Sequence, residues 1–115
     1  MNIEKLITTW LNGLNLGFRA HQDLPSNPPE ELIIVKRIGG LRDSIVIDRP
    51  HIALNVWAAS NERAAEMAYQ IDKHVASLVE DRHISKVARA SLGWFRSEDS
   101  TQERYQIVLT LVCTS

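Results

Sequence analysis

Three observations predict an α+β fold, a mostly antiparallel sheet of four to five strands with two helices packed on one face. Leu32, Ile33, Ile34 and Val35 form an apolar, largely β-branched run that ends in a glycine pair, the pattern of a buried strand reaching solvent. Ile52, Leu54 and Val56 alternate with Ala53, Asn55 and Trp57, as in a strand covered mainly on one side. Two other stretches repeat their apolar residues at helical spacing instead, so they belong on the sheet and not in it.

In chain order, Ile3, Leu6, Ile7, Trp10, Leu11 and Leu14 line one side of an opening amphipathic helix. Asn2 is placed to cap its start and Gly13 to end it in a left-handed conformation. Leu16 to His21 reads as a short strand, and Asp23 to Pro29, with three prolines, reads as a surface loop because proline cannot donate to a ladder. The next strand should finish near Ile38, with Gly39-Gly40 as its turn. Asp48-Arg49-Pro50 leads into the central strand, which runs to Trp57. Ser60 can cap a second helix with apolar positions Ala64, Met67, Ala68, Ile71, Val75, Leu78 and Val79. Ile84 to Ser91 is a strand, Arg96 to Glu103 a polar tip without periodicity, and the last strand sets Tyr105, Ile107, Leu109 and Leu111 against Gln106, Val108, Thr110 and Val112. The predicted order is helix, strand, strand, strand, helix, strand, strand. Short connections favour antiparallel neighbours, and the second sheet face, with Ala53, Asn55, Trp57, Val108 and Val112, is apolar enough to favour oligomerisation.

Residues 1–115 make one domain by size, enough for a single core. Apolar residues at 44% and charged residues at 23% argue against disorder. A net charge of −1 gives no sign of a general nucleic-acid or membrane binder. The single cysteine, Cys113, can build neither a disulfide framework nor a cysteine zinc site, which suits a reducing cytoplasm. No signal peptide or membrane-spanning run is expected, since Glu4, Lys5, Asn12 and Asn15 interrupt the opening segment.

Residues suited to chemistry do not converge in the sequence, and the expectation is no catalytic, cofactor-binding or metal-ligating set. His21, His51, His74 and His83 lack the helical i, i+4 spacing of a zinc pair. Gly39-Gly40 lacks the further glycines and the Lys-Ser/Thr pair of a phosphate loop. Ser60, between Ala59 and Asn61, lacks the flanking glycines of a nucleophile elbow, and Glu98-Asp99 at a loop tip has no environment to separate two carboxyl roles. The charged group Arg37, Arg42, Asp43, Asp48 and Arg49 is compatible with a solvated hairpin end, a charge-complementary docking edge or a phosphate contact. Trp57 reads as a core residue or as an interface anchor.

The landmarks, taken in order, are an amphipathic helix, a proline-rich loop, Arg37-Ile38-Gly39-Gly40 closing a strand, Asp48-Arg49-Pro50 opening one that ends in Trp57-Ala58, an Ala-rich helix, and a last strand begun by Arg104-Tyr105-Gln106. Over nearly the whole chain this pattern resembles the tail terminator (tail completion) proteins of long-tailed bacteriophages. It departs from many of them at Arg96 to Glu103, which lacks Pro and Gly. The resemblance implies a non-enzymatic virion protein without cofactors, located at the head-proximal end of the tail and assembled in the bacterial cytoplasm. Such a protein forms a ring, usually a hexamer, that caps the tail tube, ends its polymerisation and offers a surface to the head-side connector. Its partners are therefore further copies of itself, the tube protein and the connector, with the genome passing through without sequence-specific binding and no membrane involved. The interface candidates are Arg37, Arg42, Asp43, Asp48, Arg49 and Trp57. Two other classes remain: another neck or head-completion protein, and a small ferredoxin-like enzyme subunit, which would need a pocket with convergent polar groups.

Overall fold

A computed structural model of the chain describes residues 2–95 and 103–114. Helix α1 spans Ile3–Gly13, strands β1, β2 and β3 span Arg19–His21, Leu32–Arg42 and Ile47–Ala58, and α2 spans Asn61–Asp72. A 3₁₀ helix at Val75–Glu80 precedes β4, Ile84–Trp94, and β5, Glu103–Thr114. The five strands form one sheet in the order β1-β2-β3-β5-β4, so β3 is the middle strand. This is the predicted α+β order with mostly antiparallel neighbours.

One face of the sheet carries the main core. Ile33 and Val35 of β2, Ile52, Leu54 and Val56 of β3, and Ile107, Leu109 and Leu111 of β5 pack with Ile3, Ile7 and Leu11 of α1 and Ala64, Met67, Ala68 and Ile71 of α2. Each strand contributes alternate residues because successive side chains leave a strand on opposite faces. Both predicted caps form: the Asn2 side chain accepts from the Lys5 N–H at 3.0 Å and the Ser60 hydroxyl from the Arg63 N–H at 3.1 Å, each satisfying one of the donors that a helix start leaves open.

Four expectations change. β1 covers only Arg19–His21 and runs parallel to β2, because the proline-bearing connection of residues 22–31 is long enough to carry the chain back to the same end of the sheet. Asn12 closes the outer edge of β1, its side chain accepting from the Ala20 N–H at 2.8 Å and donating to the Ala20 carbonyl at 3.2 Å. The left-handed residues after α1 are Asn15 and Gly17, at φ 54° and 95°, and not Gly13.

The second helix stops at Asp72 and resumes as the 3₁₀ turn. The His74 N–H bonds the Ile71 carbonyl at 2.9 Å, and the Ser77 hydroxyl donates to the His74 carbonyl at 2.7 Å; such local competition tightens the backbone. A three-residue period then buries Val75 and Leu78 together and turns Val79 outward.

Gly39-Gly40 does not close β2. The ladder shifts register between Arg37 and Gly39 and continues to Arg42. Gly40 sits at φ +97°, and a Cβ there would lie 2.1 Å from the Arg49 carbonyl oxygen, so the glycine serves a β-bulge and a close backbone approach. The real turn lies at residues 43–46, where the Asp43 and Ser44 N–H groups both donate to the Ile47 carbonyl, at 3.0 and 3.2 Å.

Candidate functional site

Because β2 and β3 continue beyond the bulge while β1 stops opposite Ile34, the ribbon forms an arm past the helix-covered core. Its β3 side remains joined to the end of β5 through the pairs Ile47 with Thr114 and Asp48 with Cys113. Among the described residues its β2 side has no neighbouring strand; there the Glu4 carboxylate of α1 accepts the Arg37 N–H at 3.1 Å.

Five of the six candidate residues meet in this arm. Arg37 binds Asp48 through Nη1 and Nη2, at 2.7 and 2.9 Å, and also donates to the Gly39 and Gly40 carbonyls at 3.1 and 3.4 Å. A planar guanidinium suits this four-way task in a way that a lysine ammonium does not. The hydrogen bonds from Arg37 hold the Asp48 carboxyl below the usual aspartate range, against the opposing effect of partial burial. Arg49 pairs with Asp43, and Arg42 donates to the Ser44 and Ile45 carbonyls at 3.0 and 2.7 Å. The charges thus brace the arm from within, and among the described residues Arg42 is the cation of the five that binds carbonyls and no carboxylate.

Trp57 lies elsewhere. Nine residues along β3 from Asp48, or about 30 Å at strand rise, it faces away from the helices, where the Arg104 guanidinium stacks at 4.2 Å from its ring centroid. Phe95 lies on the same cation at 5.9 Å. Among the described residues, the indole Nε1 of Trp57 and the Nε of Arg104 are buried and find no hydrogen-bond partner. Trp57 and the charged hairpin are therefore two separate regions, not one anchor beside one turn.

Sequence reasoning missed the arm's apolar surface. Ile38, Leu41, Ile45 and Val46 are 56%, 79%, 86% and 55% exposed, four of the nine large apolar side chains so exposed among the described residues. The run Ile45-Val46-Ile47 between Ser44 and Asp48 was the available signal, since consecutive apolar residues at a hairpin tip are unusual without a partner.

A second feature is a groove of about 890 Å³ between α1 and the 3₁₀ helix, with Leu6, Trp10, Leu14 and Leu78 in its lining. Lys5, Glu80 and Asp81 stand at its polar margin, and the Trp10 indole donates to the Ser77 hydroxyl at 3.1 Å across its floor. Elsewhere, His83 Nδ1 is 3.1 Å from the Thr114 carbonyl oxygen, and burial pushes the Cys113 thiol up to about 11. Among the described residues no three His, Cys, Asp or Glu side chains converge as metal ligands. The predicted polar tip, with Glu98-Asp99, falls outside the described residues, except that Glu103 already belongs to β5.

The chain matches no protein-family model, and no curated protein sequence matches it.

Proposed function

We propose that this chain is a structural virion protein of the tail-terminator kind, which forms a ring on the last ring of a phage tail tube, stops its growth and presents a joining surface to the head. The observation that supports this reading most is the arm: a hairpin braced by ion pairs and a bulge, yet carrying aliphatic side chains to solvent. Several large aliphatic side chains held in solvent on a braced hairpin favour a protein-binding surface, and the order of sequence landmarks selects the partners. A terminator must match the tube on one side and refuse a matching surface on the other, so both the attractive and the repulsive features of its surface matter. The arm's fixed charges serve that selectivity, since alternating signs set register and reject wrong partners more than they add affinity.

Two measurements test the proposal. The mass of the purified chain, alone and with its tube protein, should show a closed ring or its capture on tubes. Reversing Arg42 and Arg49 to Glu should leave the monomer folded but give tails of uncontrolled length or tails that never join heads. Normal tails and normal infectivity from that variant would remove the arm from the assembly surface. Binding on the portal side, with no affinity for tube protein, would instead favour a neck or head-completion component.

A further inference from the structure

We infer that the contact between neighbouring copies is the arm of one chain seated in the α1 to 3₁₀ groove of the next. This rests on the ring reading above and specifies its interface. The arm offers Leu41 and Val46 as exposed aliphatic side chains, and the groove offers Leu6, Trp10 and Leu14 as a concave apolar lining. The charges around the two are opposite. The arm holds three arginines, Arg37, Arg42 and Arg49, against Asp43 and Asp48, whereas the groove margin holds Lys5 against Glu80 and Asp81.

Arg42 is the cation placed to meet that margin, because Arg37 and Arg49 are already engaged by the two aspartates. Arm and groove are different surfaces of one chain, so their union is head-to-tail, the type of contact that generates a ring when the rotation closes. A partner of this shape and charge is present in every copy of the chain, which makes a second copy the occupant that the surfaces select.

The test uses substitutions at exposed positions, where the fold is not at stake. Leu41→Asp disables the arm, and Thr9→Trp fills the groove from an exposed site on α1. Each variant alone should sediment as a monomer where the unmodified chain forms rings. An equimolar mixture should give dimers that grow no further, since one intact arm then meets one intact groove. Arg42→Glu should weaken self-association about tenfold, and Glu80→Arg should restore it in the double variant. Circular dichroism identical to that of the unmodified chain confirms folding of each variant. Rings of full size from both Leu41→Asp and Thr9→Trp would overturn the arm-in-groove contact while leaving the ring itself standing. An unmodified chain that stays monomeric with and without tube protein would overturn the ring reading, and this contact with it.

Discussion

The two ends of the β2–β3 ribbon share one hydrogen-bonded ladder and differ in nearly everything else. At the core end, Ile33, Val35, Leu54 and Val56 are at most 1% exposed, and position is fixed by packing from both helices. At the arm end, past the register shift at Ile38, apolar side chains point into solvent, and position is fixed by Gly40, the Arg37–Asp48 pair and the Arg49–Asp43 pair. The ladder alone does not decide what a strand is for. Burial makes one half a scaffold; ion pairs and the bulge let the other half hold its shape while its aliphatic side chains stay in solvent.

Breaking the scaffold should have the largest effect. Leu54 is fully buried at the centre of the middle strand, and Leu54→Ala should cost about 2 to 5 kcal/mol in denaturant titration. A loss under about 0.5 kcal/mol, the range of ordinary surface changes, would place that face outside the core.

Gly40→Ala comes next. It sets a Cβ against the Arg49 carbonyl and holds an L-residue at a positive φ, at about 1 to 3 kcal/mol. Because the strain is confined to the arm, hydrogen exchange should rise at Leu41 and Arg42 and stay unchanged at Ile33 and Leu54. Uniform loss of protection would show arm and core to be one cooperative unit.

Asp48→Asn should cost about 1.5 kcal/mol at neutral pH, as for a hydrogen bond to a charged group. Arg37 lowers the Asp48 pKa in the folded state, so the unfolded chain takes up the proton first as pH falls. The stabilisation is complete at neutral pH and is lost below about pH 4, through the unfolded and then the folded pKa. The Asn variant should therefore show a shallower acid limb of stability against pH, and an unchanged limb would mean that the pair contributes nothing.

The smallest effect on folding belongs to the arm's apolar tip. Leu41→Ser should shift monomer stability by less than about 0.5 kcal/mol, measured by thermal melting below the association range. A larger loss would mean that Leu41 packs within its own chain.

The comparison also marks what the sequence could disclose. Strands β3 and β5 were readable because each has one buried face, so alternation carries their register; α1 and α2 were readable from helical spacing and the Asn2 and Ser60 caps. Gly39-Gly40 was misread because a turn and a bulge call for the same residue, and only the partner strand, brought up against Gly40 at Arg49, tells them apart. The parallel pairing of β1 depends on the path of residues 22–31, which composition does not fix. For the candidate site, the charged residues were found and their mutual pairing was not, since Arg37 and Asp48 meet only through the register of two strands. Trp57 was grouped with the charged turn as one set of interface candidates, and an extended strand converts the nine residues between Asp48 and Trp57 into a large distance.

The buried thiol at the end of β5 has a practical consequence. With its pKa near 11 and its side chain shielded, Cys113 is ionised in only about one molecule in ten thousand at neutral pH, and thiolate is the form that maleimides attack. The native chain is thus a silent background for thiol chemistry. A cysteine introduced at Leu41 or Val46 would take up a fluorophore or spin label selectively, and its signal would report directly on whether the arm is in water or covered.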